Sequence, residues 1–279
     1  MNLGLFSRAL PLQQRILWLA IVAFVLLWAA ATVVGYSNYK NAHDQMDRQT
    51  SVVATALAQQ TSTTFRLADQ VMLGMRSEWL NASSRAGWQV APQHSTYLQE
   101  LMAHISIVDA NGQELLSTLE ADKSPVPWTD RSYFNIHKNS GRDDVLVSGP
   151  FKDVFTGKWH IDVSRPLREK GGFAGVMVLS MEPEYFSRFF KSVDLGKQGL
   201  VSMVADNGTL MARSLDPGRF TGGVIRSAPF LVPGADVAGH FHHVSPLDSV
   251  TRSYGYVRIP AYQVTLVAAV GIDEQMAPL

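Results

Sequence analysis

The chain has 279 residues, 24 Lys+Arg against 24 Asp+Glu, no cysteine and a mean hydropathy of +0.02. Zero net charge excludes a globally basic nucleic-acid binder and a charge-driven disordered chain. The lack of cysteine excludes a disulfide scaffold, a thiol enzyme and a zinc site built on thiolates.

Charged residues make up 17 %, below the ~25 % of an average soluble domain, and a membrane segment over residues 16–36 accounts for part of the shortfall. Between Arg15 and Lys40 no side chain is charged, and Ile16 to Gly35 is a run of twenty residues, apolar or small apart from Thr32. As a helix it spans ~30 Å, the thickness of a bilayer's hydrocarbon core. Trp18, Trp28 and Tyr36 lie near its ends, where amphipathic rings favour the interface. Arg8 and Arg15 precede it and no acidic residue appears before Asp44. The positive-inside rule therefore puts residues 1–15 in the cytoplasm and everything after Tyr36 outside it. The alternative is a cleaved signal peptide with Ala29-Ala30-Ala31 at the cut, although such apolar regions run only ~7–15 residues. Both readings export the rest.

Residues 37–82 read as one long helix. From Ser37 to about Leu80 there is no proline and a single glycine, Gly74. Phe65, Ala68, Met72, Met75 and Trp79 recur at spacings of 3, 4, 3 and 4, an apolar helical stripe that Val53, Ala56 and Leu57 extend backwards. Roughly 45 residues make a helix of ~65 Å, so part of it is expected to rise from the membrane as a stalk. The stripe has two uses: docking on the chain's own sheet, or pairing with a second copy. Both are expected, with the stalk end dimeric.

Beyond residue 83 the texture changes to short β-rich runs broken by Gly, Pro, Asn and Asp. The run 107–112 (IVDANG) and the run 203–208 (MVADNG) each lead a strand into an Asn-Gly, the dipeptide that best tolerates a tight hairpin turn. The two Asn-Gly pairs lie 96 residues apart, about one small domain. A helix-like stretch from Arg131 to His137 and strands over 144–148, 158–165 and 173–181 follow the first hairpin. An irregular segment and strands over 237–244, 251–259 and 264–271 follow the second. Both halves read as hairpin, connection and three-stranded meander, so the expected fold class is α+β with two antiparallel five-stranded sheets. The boundaries are a first module over 83–181, a connecting helix over 182–199, a second module over 200–274 and a tail over 275–279.

Four short elements stand in order in the first module: Asp130-Arg131-Ser132-Tyr133-Phe134 with His137, then Ser148-Gly149-Pro150-Phe151 with Asp153, then Thr156-Gly157-Lys158-Trp159, then Ser164-Arg165. After an anchor and a long helix, this series resembles the periplasmic double Cache (tandem PAS-like) sensor domains of bacterial signal transducers, most closely those upstream of GGDEF-type diguanylate cyclases. The resemblance covers about residues 17–275. It implies a membrane-distal and a membrane-proximal PAS-like module, an inner-membrane location, and a second membrane helix and cytoplasmic output domain beyond Leu279. The chain then reads either as the sensor part of a longer receptor or as a single-pass protein signalling through a partner. A histidine kinase or chemotaxis receptor is the alternative output.

The residues themselves make a plausible small-molecule site. On a helix Tyr133 and His137 share a face, with Asp130 as its N-cap. Arg131 supplies a fork suited to a carboxylate, and Asp153 an acceptor for an ammonium group. Phe134, Ser148, Phe151 and Trp159 complete the candidate ligand-binding set, since such pockets are mostly apolar with a few placed polar groups. An organic acid or a zwitterion would suit this arrangement. Two departures matter: an Arg and an Asp in adjacent loops often pair with each other, and the amino-acid-binding branch of the family has Trp where Tyr133 stands.

His240, His242 and His243 are the metal candidate, because His240 and His242 project from one strand face; a third ligand is not evident, and no metal or cofactor is assigned. No P-loop, HExxH or GxSxG occurs, so no catalytic role is expected. The reading is a periplasmic, small-molecule-binding sensor, anchored by Ile16–Gly35 and dimeric through its stalk. The alternative is a ligand-free module that dimerises or docks on another protein through the Phe65–Trp79 stripe.

Overall fold

The computed structural model describes residues 12–85, 88–118, 127–153 and 157–277. Arg8, Thr156 of the Thr-Gly-Lys-Trp element and the last two residues of the tail lie outside them. Helix α1 (Leu12–Asn81) is unbroken over 70 residues, about 105 Å at 1.5 Å per residue. Its first part is long and apolar enough to cross a membrane, and none of that part is buried by the rest of the chain.

The remainder of α1 is the spine of the protein. After α2 (Pro92–Glu100) come strands β1 (Ala103–Asp109) and β2 (Glu114–Ser117), a 3-10 turn (Trp128–Asp130), α3 (Ser132–Ser140), β3 (Leu146–Lys152), β4 (Trp159–Glu169) and β5 (Gly172–Met181). Helix α4 (Pro183–Lys191) leads into β6 (Leu200–Ala205), β7 (Leu210–Arg213), α5 (Pro217–Phe220), β8 (Ala238–Val244), β9 (Thr251–Ile259), β10 (Val264–Gly271) and α6 (Ile272–Met276). The sheets have orders β2-β1-β5-β4-β3 and β7-β6-β10-β9-β8, both antiparallel. These are the same topology twice, as expected for tandem PAS-like modules.

One apolar cluster runs along the back of both sheets and takes in Phe65, Ala68, Met72, Met75 and Trp79 of α1. Phe65 is fully buried against Phe186 of α4 and Tyr262, with ring centroids 5.5 and 5.1 Å away. The stripe thus docks on its own chain and is not free to pair through these residues. Ala56 faces solvent, and the earlier half of the stripe is instead Thr50, Ala54, Leu57, Ala58 and Thr61. The small side chains among them, Thr50, Ala54, Ala58 and Thr61, let β9 come close. A Cβ on Gly255 would sit 2.5 Å from the carbonyl carbon of Thr50.

Polar pins fix the helix axially. Arg165 of β4 makes a two-pronged ion pair with Asp69 of α1, and Arg76 pairs with Asp143. In the second module His242 Nε2 lies 2.9 Å and His240 Nε2 3.6 Å from the Asp47 carboxylate, to which Ser253 also donates at 2.7 Å. Burial pushes the Asp47 carboxyl up, but the Ser253 and His242 contacts hold it below its ordinary value. The GHFHH run thus clasps the stalk helix. Among the described residues no group of three or more His, Cys, Asp or Glu is arranged to hold a metal ion.

The other face of each sheet has its own smaller core: Val108, Tyr133, Phe134, Val176 and Val178 in the first module, Leu200, Val204, Phe230, Tyr254 and Val267 among others in the second. Helix α3 covers the first, pinned by His137, whose Nε2 lies 3.0 Å from Ser164 Oγ. Burial lowers the His137 imidazole from 6.5 to about 4, against the Ser164 bond and aided by the nearby Arg168 and Arg165.

Two outcomes follow. Gly255→Ala should cost about 1–3 kcal/mol through overpacking against α1, read as a lower denaturant midpoint of the detergent-purified chain. Gly218→Ala, where a Cβ meets nothing within 4 Å, should leave it unchanged. Because folded His137 resists protonation, its contribution is intact above about pH 6.5 and declines by up to about 1.4 kcal/mol per pH unit as the pH falls toward 4. His137→Gln should flatten that part of the stability–pH profile; an identical slope would show that another group titrates.

Candidate distal ligand site

Strand pairing aligns His104 with Ser180, Ser180 with Asp162, and Asp162 with Ser148. Side chains directly opposite across a sheet share a face, so these residues form one transverse polar row over β1, β5, β4 and β3. Below it Ser106 and Ser164 flank Val178 in the next row on that face. The row lies on the side of α3, because Tyr133 Oη donates to Asp162 Oδ2 at 3.0 Å and Ser180 Oγ donates to Oδ1 at 2.6 Å.

Asp162 is 1 % exposed, and its side-chain oxygens accept from two neutral donors. His160 Nε2 is 3.9 Å away, and the rings of His104 and His160 meet edge-on at 6.3 Å. Burial lowers the His104 imidazole against the pull of Asp162, favouring its neutral form. The same burial, with the adjacent Asp162 charge, pushes the Tyr133 phenol well above 10, so it stays a donor.

Arg131 stands at the mouth. It is the N-cap of α3 with extended backbone and makes no side-chain capping bond. Asp130, expected to cap, instead ends the preceding 3-10 turn. The Arg131 guanidinium lies over the Phe151 ring at 4.4 Å, and its Nε is buried without a hydrogen-bond partner. Phe151 meets Tyr133 edge-on at 6.2 Å. A register shift between Ser148 and Phe151 turns the end of β3 toward this ring group. Asp153 follows β3, and its charge reaches His104.

Of the sequence candidates, Arg131, Tyr133, Ser148 and Phe151 come together around Asp162, with Asp153 at the edge. Three lie elsewhere. Phe134 is core, edge-on to Phe173 at 5.4 Å. His137 is used by its bond to Ser164. Trp159 projects from the opposite face of β4 to Asp162, because side chains alternate along a strand. It packs where a Cβ on Gly222 of the second module would come within 2.3 Å of its ring. His104, His160, Asp162 and Ser180 join this group although none is a candidate on sequence grounds. Their signal is polar residues every second position in otherwise apolar strands, HIS over 104–106 and HIDVS over 160–164.

The second module tests whether this row is merely how the fold is built. Aligning the two hairpins places Leu200 at the position of His104, and pairing then puts Ala269, Tyr254 and Phe241 at those of Ser180, Asp162 and Ser148. The polar row is therefore not required by the topology.

Comparison with known proteins agrees with this architecture. The extracellular domain of rpHK1S-Z16, assigned as a histidine kinase, superposes with a TM-score of 0.69 at 26 % identity, over 83 % of this chain and 97 % of that one. The ligand-binding domain of the Pseudomonas aeruginosa amino acid chemoreceptor PctC, in complex with GABA, gives 0.61 at 16 % identity over 80 % and 99 %. That of the Pseudomonas fluorescens chemoreceptor CtaA, in complex with L-isoleucine, gives 0.60 at 14 % over 86 % and 96 %. No curated protein sequence matches significantly. The Cache domain model matches residues 39–279, and with two stacked sheets on one spine helix the chain belongs to the Cache family of extracytoplasmic, non-catalytic ligand-binding sensor domains.

Proposed function

We propose that the first module is the membrane-distal sensor of a transmembrane signal transducer and binds a small zwitterion or organic acid against the His104–Ser180–Asp162–Ser148 row. The observation that carries this reading is the contrast between that row and its apolar counterpart in the second module. A buried carboxylate without a full positive partner is costly, and a fold that builds the same sheet without it has no structural need for it. In this reading Arg131 takes the ligand carboxylate, its Nε being unpartnered, while Asp162 and Asp153 take an ammonium group. Tyr133 orients Asp162, and Phe151 walls the site. Solved chemoreceptor domains of this fold hold amino acids or GABA, which favours the zwitterion over a plain acid despite Tyr133 standing where that branch has Trp.

Transmission would pass through α1, which touches both sheets and leads into the apolar segment. A ligand changes the helix's placement only by binding one arrangement better than the other. Residues 37–45, mostly uncovered by the chain, are then where two copies would pair. The N-terminus would be cytoplasmic and the output a diguanylate cyclase, as the DRxYF, TGxW and SR elements imply. A histidine kinase or chemoreceptor output is the second reading, favoured by the solved relatives of the same fold.

Calorimetric titration of the detergent-purified chain with a panel of amino acids, GABA and small carboxylates should give at least one saturable ligand. Arg131→Ala and Asp162→Asn should each weaken it at least tenfold, about 1.4 kcal/mol. If a ligand binds and Arg131→Ala, Asp153→Ala and Asp162→Asn all leave its affinity unchanged, the site is elsewhere.

A further inference from the structure

The second module holds an unbalanced buried charge. Arg213 at the end of β7 and Arg252 near the start of β9 are 2 % and 0 % exposed, and both reach Asp248 in the β8–β9 turn. Arg252 donates through Nη1 and Nη2 to the two Asp248 oxygens at 2.7 and 3.0 Å, and through Nε to the Gln198 carbonyl at 2.6 Å. Its donors are well used. Arg213 gives Asp248 only Nη2, at 2.6 Å, and its Nε is buried with no hydrogen-bond partner. Burial pushes the Asp248 carboxyl up, yet Arg252, Ser245 and Arg213 together hold it far below the usual carboxylate range. Two guanidinium charges therefore share one carboxylate, leaving one positive charge in excess.

Arg213 also lines a cavity of about 50 Å³ between the sheet and the loop that carries Phe230. Its walls are chiefly apolar, among them Leu200, Phe230, Tyr254 and Val267, with Ser202 beside Arg213 as its cross-strand partner and Ser227, His243 and Ser245 as the other polar lining residues. A buried ion leaves its charge uncompensated at a cost of several kcal/mol, and so small a cavity with chiefly apolar walls is a poor host for several waters, each needing two to four partners. An anion with an apolar tail meets both conditions. At roughly 10–15 Å³ per water-sized centre, the space takes about three to five heavy atoms.

We propose that this proximal cavity is a second, separate ligand site, for a monocarboxylate of two or three carbons whose carboxylate meets Arg213 and whose methyl end faces Phe230 and Val267. It differs from the distal site in chemistry: it presents a cation and chiefly apolar walls, and no carboxylate lines it to pair with an ammonium group, so it disfavours amino acids. The inference does not depend on the distal reading.

Titration of the detergent-purified full chain with sodium acetate and sodium propionate, with sodium chloride at equal ionic strength as the reference, tests it. Saturable binding of acetate or propionate is expected, and in Arg131→Ala, where the distal site is weakened, glycine and benzoate should bind at least tenfold more weakly than either acid. Arg213→Gln should abolish it. Because that change disturbs a buried ion cluster, Ala228→Leu is the second variant: it fills the cavity wall, keeps every charge and should also abolish binding, while Arg131→Ala in the distal module leaves it intact. Absence of saturable binding by either acid, or binding that persists in Ala228→Leu or is lost in Arg131→Ala, would overturn the proposal.

Discussion

The burial of one face of α1 against the backs of both sheets is the contact on which the rest of this protein depends. Each sheet has two faces to cover. The back of each is sealed by a stripe on the same helix, with Phe65 at the level where the modules meet and Met72, Met75 and Trp79 above it. Because the helix continues without interruption into the apolar segment, the modules cannot shift on it without disturbing the element that leaves the protein. The Arg165–Asp69 ion pair and the His242 and Ser253 contacts to Asp47 stop the helix sliding, a role that nondirectional apolar contact cannot fill.

With the backs of the sheets committed to the spine, only the front faces are free for chemistry, and the two modules use them differently. The first carries polar groups in the middle of its sheet and a guanidinium at the mouth. The second places aliphatic and aromatic side chains at those middle positions and brings its charge in from the edge. Pairing puts Arg213 of β7 at the position that Ser117 occupies in β2, and Arg252 at that of His160. The duplicated fold thereby holds two unlike interiors on one scaffold.

Much of this architecture is legible in the chain. The long helix, its apolar stripe, the two Asn-Gly hairpins and the meanders follow from periodicity and turn chemistry, which are local. The Arg131–Tyr133 element could be placed on a helix near a sheet for the same reason. Phe134 and His137 were harder, since a helical spacing gives the face but not the depth, and both sit below the mouth in packed contacts. Trp159 and His160 are adjacent in sequence and lie on opposite faces of β4. Only knowing which face meets α1 tells that the tryptophan packs at Gly222 of the second module and the histidine lies beside Asp162.

By itself, then, the sequence determined the elements: where the chain is apolar enough for a membrane, where it is helical, where it turns, and that a sheet pattern occurs twice. Those are properties of neighbours a few residues apart. The tertiary structure alone decided which polar groups meet. His104, Ser148, Asp162 and Ser180 are drawn from four strands and made into one row only by register, and Arg213 and Arg252 meet at Asp248 only because the edge and the turn of the second sheet close on each other. Long-range pairing fixes which polar residues are buried together, and no local pattern in the chain encodes that.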